Sequence, residues 1–273
     1  MGKLEGKVAL ITGAARGQGR SHALRLAQEG ADIIAIDSLE DVSTVDYPMA
    51  TQADMDDTVK AVEGLDRRIH AVKADVRDFA AIQQAYIAGV AELGPVDIVL
   101  ANAGICQLGS VETDPVQAFN DVIDVNLVGV WNSAYVAAQD MIDRGQGGAV
   151  VLTSSTQGLT GRGADGSAGA LGYAAAKHGV VGLMRSFANW LSPYNIRVNT
   201  IHPTGVATPM VENDVVGRYL EENPQAGQMA ANLMPVGLVD PLDISNAVLF
   251  LVSDDGRYVT GVTLPVDAGF NAR

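Results

Sequence analysis

Cysteine is nearly absent from this 273-residue chain: Cys106 stands alone, so no intrachain disulfide can form and a disulfide-stapled secreted scaffold is excluded. Histidine is scarce as well, and His22, His70, His178 and His202 show none of the spacing a zinc site requires, so no metal is expected. Basic residues are outnumbered, 18 Lys+Arg against 32 Asp+Glu, giving a formal charge of −14. Such a surface repels phosphate backbones, no Lys/Arg-dense run relieves it locally, and nucleic acid is excluded as a partner. Long hydrophobic runs are missing too. Residues 8–11 are too few for a signal-peptide core or a membrane span, and the longest uncharged stretch, 145–161, is filled with Gly, Ser and Thr. Position 6 is Gly6 where myristoylation would want Ser or Thr. These absences point to a soluble, cytoplasmic protein with no membrane partner.

What is present is enough apolar material for a full core, at 48% of residues. Short β-branched runs recur at 8–12, 32–36, 69–73, 96–101, 149–153, 196–201 and 262–266, and their near-continuous apolarity predicts strands buried on both faces. Helix-length segments separate them. In 78–93, for example, Asp78 can cap the start, Ile82, Tyr86 and Val90 share a face, and Gly94-Pro95 ends the turn. Strand and helix alternating in this way predict an α/β fold: a single doubly wound domain over 1–273, about seven parallel strands with helices on both faces. Two stretches break the rhythm. Residues 39–66 are long and acidic and read as an insertion; residues 158–172 carry Gly158, Gly161, Gly163, Gly166, Gly169 and Gly172 and read as a flexible loop of the kind that sits over active sites.

The first predicted strand is followed by Thr12, Gly13, Ala14, Ala15, Arg16, Gly17, Gln18 and Gly19, and then by a helical stretch with a stop at Gly30. Glycines let the backbone approach a pyrophosphate, and a helix N-terminus offers free N–H groups and partial positive charge to it. The spacing is G-x3-G-x-G, and a purely structural turn would look the same. The second strand, however, runs into Asp37, placed where a carboxylate grips the adenosine ribose hydroxyls of a Rossmann-type site. With Ser38 beside it supplying no positive charge, Asp37 selects NAD over its 2′-phosphorylated form. A strand-end Asp that merely turns the chain remains the alternative. Asp75 and Val76, ending the third strand, stand where adenine would be touched, though a helix-capping Asp75 fits as well.

Further along come Asn102-Ala103-Gly104 after strand four, Asn126 within a helical stretch, Ser154-Ser155 after strand five, and Tyr173 and Lys177 at the start of a helix. Tyr173 and Lys177, four apart, share a helix face. Lowering a phenol from ~10 to ~7 takes ~4 kcal/mol of preferential phenolate stabilisation, and a nearby ammonium is the obvious source.

These ordered motifs, from Thr12 to Val266-Asp267-Ala268-Gly269, resemble the short-chain dehydrogenase/reductase family over the whole chain. Within it, the insertion after Asp37 and the runs at 13–22 and 174–184 most resemble the carveol-dehydrogenase-like, mycofactocin-associated subgroup. The resemblance implies a catalytic set of Asn126, Ser155, Tyr173 and Lys177. Tyr173 would be the general acid/base, Lys177 would hold the nicotinamide ribose and lower the phenol pKa, and Ser155, chosen over Ser154, would bond the substrate oxygen. Asn126 would hold a water, or else serve as a helix-kink residue. The cofactor-binding set would be Gly13, Arg16, Gly17, Gln18, Gly19, Asp37, Ser38, Asp75, Val76, Asn102, Ala103, Gly104, Tyr173, Lys177, Val206 and Thr208, the last two near the carboxamide. Departures are the Pro203-Thr204-Gly205 sequence, Gln18 between two glycines, and the long Ser155–Tyr173 spacing. The resemblance further implies NAD held without ready exchange, mycofactocin as redox carrier and a homotetramer. A lid over 209–235, carrying Met210, Val211, Leu220, Met229, Leu233 and Met234, joins Leu108, Leu159 and Leu171 in suggesting a hydrophobic pocket for a secondary, cyclic or terpenoid alcohol and its ketone. Rival readings are an NADP-dependent ketone or ketoacyl reductase and a non-catalytic dinucleotide sensor. His202, Trp131 and Trp190 read as packing residues.

Overall fold

The short apolar runs become strands because Val and Ile, branched at Cβ, suit a pleated surface and turn-forming residues bound each run. In the computed structural model, which describes residues 2–162 and 165–272, they are β1 (Val8–Thr12), β2 (Asp32–Asp37), β3 (Ile69–Lys73), β4 (Ile98–Ala101), β5 (Gly148–Thr153), β6 (Ile196–Pro203) and β7 (Thr263–Val266). All pair in parallel, in the order β3-β2-β1-β4-β5-β6-β7. The winding reverses between β1 and β4, which opens a crevice beyond their carboxyl ends.

Helices cover both faces. On one side α1 (Gly17–Gln28), α2 (Gln52–Glu63) and α9 (Pro241–Val252) bury Leu26, Met55 and Ile244 against Ile11, Ile33 and Leu100. On the other, α3 (Phe79–Leu93), α4 (Pro115–Ile123), α5 (Gly129–Arg144) and α6 (Ala168–Leu191) bury Ile82, Val122, Met141 and Met184 against Leu10, Ile34 and Leu152. The predicted cap is present: the Asp78 carboxylate accepts from the N–H groups of Ala80 and Ala81. Burial on both faces holds for the central strands but not for β3 and β7, which are half exposed because a rim strand has a neighbour on one side only.

Two expectations change. The stretch 39–66 contains α2, opened by a Thr51–Asp54 capping box, so the extra chain narrows to residues 39–51. The glycine-rich loop ends sooner than its composition suggests, since α6 begins at Ala168 with Ser167 as its cap; Gly163 lies outside the described residues. Gly172 is a packing glycine within that helix: a Cβ there would come within 3.2 Å of the Phe119 backbone, so its absence lets α4 approach α6. Tyr173 therefore sits beyond the first turn of α6 and not at its opening.

Beyond β6 the chain forms α7 (Asp214–Glu222) and α8 (Pro224–Met229) in the predicted lid region. Val216 turns inward, while Leu220, Met229, Leu233, Met234, Leu159 and Leu171 are exposed and do not enclose a pocket as expected. Of the short lid helices, α7 buries Val216 and α8 buries no residue, so these side chains stay at the surface. Among the described residues no helix is long and apolar enough to cross a membrane.

Candidate active site

The crevice is an open cleft of about 970 Å³ counting its solvent-filled mouth, lined along one side by Gly13, Arg16, Gly17, Gln18 and Gly19. Backbone stands where side chains would block it. Gly13 adopts φ +68, and a Cβ there would lie 2.8 Å from Ala103 Cα; a Cβ on Gly19 would overlap the Gly13 carbonyl at 1.9 Å. Arg16, the N-cap of α1, makes no side-chain capping bond, so the first N–H groups of that helix remain free to meet an anion. The Gln18 Oε1, buried and without a hydrogen-bond partner, adds an unspent acceptor at the same place.

Asp37 and Ser38 line the cleft, joined by Glu40. The Asp37 carboxylate accepts from Ala15 N–H at 3.0 Å, which holds it at the edge of the glycine turn, and burial pushes its pKa up. The cations at this end are already partnered: Arg16 donates to the Pro48 carbonyl at 2.6 Å, Lys73 pairs with Glu40 at 2.6 Å, and Arg77 pairs with Asp75 at 2.6 Å. Asp75 and Val76 line the cleft as anticipated, and the helix-capping alternative for Asp75 is overturned, since Asp78 caps α3.

Asn102, Ala103 and Gly104 form the floor. The Asn102 amide is spent on the Thr12 carbonyl at 3.1 Å, tying the end of β4 to the glycine turn. Gly104 links the floor to the chemical end, because a Cβ there would lie 2.9 Å from Asn126 Oδ1 and 3.6 Å from Lys177 Nζ. Asn126 sits in a π-helical turn, Asp124–Val128, between α4 and α5. Its side chain accepts from Ile105 N–H at 2.9 Å and donates to Ile105 C=O at 2.8 Å, which is the kink-residue reading. Thr208 lines the cleft, but Val206 does not: it is buried and bridges Val239, so any part it takes goes through its backbone.

The two serines after β5 divide the work. Ser154 donates to the Lys177 carbonyl at 2.8 Å and so braces α6, whereas Ser155 points its hydroxyl toward the Tyr173 phenol. Lys177 Nζ donates to the Thr153 carbonyl at 2.9 Å, lies 5.5 Å from the centre of the Tyr173 ring, and is pushed down to about 8 by burial. Burial raises the Tyr173 phenol, and the Ser155 hydroxyl opposes that rise. The expected lowering by Lys177 does not register in this arrangement: desolvation of the phenolate dominates, Cys106 and Tyr47 add to the rise, and only the Ser155 hydroxyl opposes it.

Sequence reasoning missed the far wall. Val42, Tyr47, Met49 and Ala50, from the extra segment 39–51, line the cleft. Tyr47 is buried, and its hydroxyl accepts from Cys106 N–H at 3.3 Å. Val42, Val45 and Tyr47 were the available signal, apolar residues in an otherwise acidic stretch. Among the described residues no cluster of three His, Cys, Asp or Glu could hold a metal ion.

A family model described as short chain dehydrogenase matches residues 7–217. An uncharacterised oxidoreductase of Mycobacterium tuberculosis is 53% identical, covering 98% of this chain and 97% of its own. The (-)-trans-carveol dehydrogenase of Rhodococcus erythropolis is 47% identical over 98% of this chain and 99% of its own. A crystal structure of carveol dehydrogenase from Mycobacterium avium in complex with NAD superposes with a TM-score of 0.92 at 47% identity, covering 100% of both chains.

Proposed function

The chain belongs to the short-chain dehydrogenase family, and from that membership we propose an NAD-dependent oxidoreductase that interconverts a hydrophobic secondary alcohol, carveol-like in size and polarity, and its ketone. The observation that carries this reading is a cleft whose floor abuts the chemical group. An uncapped helix N-terminus and Asp37 stand at its adenosine end, and at its other end Gly104 lies against Asn126 and Lys177, with Tyr173 and Ser155 beside Lys177 just beyond the lining of the cleft.

The residues present fit a dinucleotide: the glycine turn leaves room for a pyrophosphate, Gln18 Oε1 awaits a donor, and Asp37 with Glu40 supplies acceptors for ribose hydroxyls. When bound, NAD supplies the hydride acceptor for oxidation. Ser155 holds the substrate oxygen by its hydroxyl, and Tyr173 Oη takes the alcohol proton, or returns it in reduction. Lys177, buried and cationic, would favour the phenolate that accepts that proton and would hold the cofactor ribose. Asn126, its side chain committed to Ile105, keeps the π-turn open for a water that passes the proton outward.

Asp37 and Glu40 speak against an NADP-dependent reductase, because a 2′-phosphate would meet two carboxylates while Lys73 and Arg77 are already paired with Glu40 and Asp75 and the Arg16 guanidinium is turned onto the Pro48 carbonyl. The segment 39–51 favours slow cofactor exchange, with mycofactocin as the carrier that regenerates it in place. A cytoplasmic homotetramer completes the proposal. The deciding experiment offers trans-carveol to the purified protein with NAD and, separately, with an artificial electron acceptor, after identifying the nucleotide released on denaturation. Released NAD with carvone formation supports the reading; NADP, or oxidation under neither condition, refutes it.

A further inference from the structure

His202 is buried on β6, and both of its ring nitrogens are engaged. Nδ1 lies 2.8 Å from the Ser155 carbonyl oxygen and Nε2 lies 2.8 Å from Thr200 Oγ1. A carbonyl only accepts, so Nδ1 carries the proton, and the neutral ring then accepts from the Thr200 hydroxyl at Nε2. Burial pushes this ring down to about 4; Lys177 and His178 act in the same direction, while the Ser155 carbonyl and Asp267 oppose them. The neutral tautomer is therefore the resident form near neutrality.

The bond to Ser155 falls where the sheet can no longer hold the chain. The ladder between β5 and β6 reaches Ser154, whose N–H donates to the Ile201 carbonyl at 2.9 Å, and Pro203 has no N–H with which to extend it. The His202 side chain ties down the very next residue. Ser155 leaves β5 in an extended conformation, φ −165 and ψ 166, and its Oγ accepts from Gln157 N–H at 3.1 Å. That acceptance leaves the hydroxyl proton to point at Tyr173, so the aim of the hydroxyl depends on the Ser155 backbone.

We propose that His202 is a positioning residue, the side chain that fixes the Ser155 backbone and through it the hydroxyl that faces Tyr173. The inference rests on the roles proposed for Ser155 and Tyr173, and the test separates the two. Turnover of trans-carveol is measured for Ser155→Ala, His202→Phe, His202→Asn and the Ser155→Ala/His202→Phe double variant, with NAD affinity followed by fluorescence titration. His202→Phe keeps the ring and loses the donor, so kcat should fall about 10- to 100-fold while KM and NAD affinity stay near wild type. His202→Asn places an amide N–H where Nδ1 stood and should recover most of the loss. In the Ser155→Ala background His202→Phe should cost little more, since the group it aims is gone. Wild-type kcat in His202→Phe, equal losses in Phe and Asn variants, or a fully multiplicative double variant would overturn the inference. Wild-type turnover in Ser155→Ala would overturn the active-site reading as well. If His202→Phe does not fold, His202→Asn against His202→Gln decides, because the glutamine amide reaches the Nε2 position instead; equal activity in that pair counts against the proposal.

Discussion

Tyr173 keeps its proton more firmly than a phenol in water, because the phenolate would have to shed its hydration. As a general acid for ketone reduction it is ready at neutral pH; as a base for oxidation it must first ionise. The kcat/KM for alcohol oxidation should therefore climb with pH through neutrality, while that for ketone reduction stays level. The climb should weaken above about 8, where Lys177 loses the charge that supports the phenolate. Tyr173→Phe should lower turnover by about 10²- to 10⁴-fold with nucleotide binding retained; a variant that keeps its rate would remove Tyr173 from the mechanism. These residues were legible in the sequence because their chemistry is carried by short spacings, a glycine turn and a Tyr and Lys four apart. His202 was not, since its partner Ser155 lies 47 positions away and only the pairing of β5 with β6 brings them together.

Among the elements, the segment 39–51 does the most that its sequence concealed. It runs along the far wall of the cleft as a strap, held at one end by Arg16 on Pro48 and at the other by Tyr47 on Cys106 and by Thr44, which donates to Asp121 at 2.8 Å and accepts from Gln107 at 2.7 Å. Composition alone showed an acidic insertion; that Val42, Val45 and Tyr47 would be buried depended on partners distant in sequence. Under the proposal of slow cofactor exchange, a wall segment anchored at both ends would retain a nucleotide packed against it. Freshly purified protein should therefore release near-stoichiometric NAD on denaturation, and Tyr47→Ala should speed loss of nucleotide during dialysis. Protein that purifies empty would count against the strap as a retainer. The glycine-rich stretch was misread for a related reason: Gly169 and Gly172 look like loop residues by type but sit in α6, glycine there because Gln107 and Phe119 come too close for a Cβ.

At the scale of the whole molecule, the parallel sheet and its two-sided helix cover followed from alternating apolar runs, while the strand order and the assembly did not. A belt of aromatic rings crosses α3, α5 and α6, with Phe79, Trp131, Tyr135, Trp190 and Phe187 in successive contact and Trp131, Tyr135 and Trp190 exposed at 36%, 42% and 39%. Large exposed rings on two long helices suit burial against a second copy, which is where the proposed tetramer would close. Trp131→Glu combined with Tyr135→Glu should halve or quarter the mass seen by light scattering, and an unchanged mass would place the interface elsewhere. Acid should weaken the fold through His22, wholly buried at the α1–α9 junction and bonded to Ser245 at 2.8 Å. Its pKa falls from 6.5 to about 4 on folding, so the unfolded chain takes up the proton first. Stability is complete above 6.5 and is lost as pH drops toward about 4, by on the order of 3 kcal/mol. Melting temperature followed against pH should show that slope, reduced but not abolished in His22→Gln, since buried His202 contributes over the same pH window.

The carboxylate proposed to choose the nucleotide and the band of chain that walls the cleft beside it are neighbours in sequence, running from Asp37 to Ala50 without a break. Both traits thus travel as one cassette. If the proposed retention holds, that single piece, transplanted between β2 and α2 of an otherwise similar enzyme, should turn a freely exchanging coenzyme into a resident one without touching the catalytic residues.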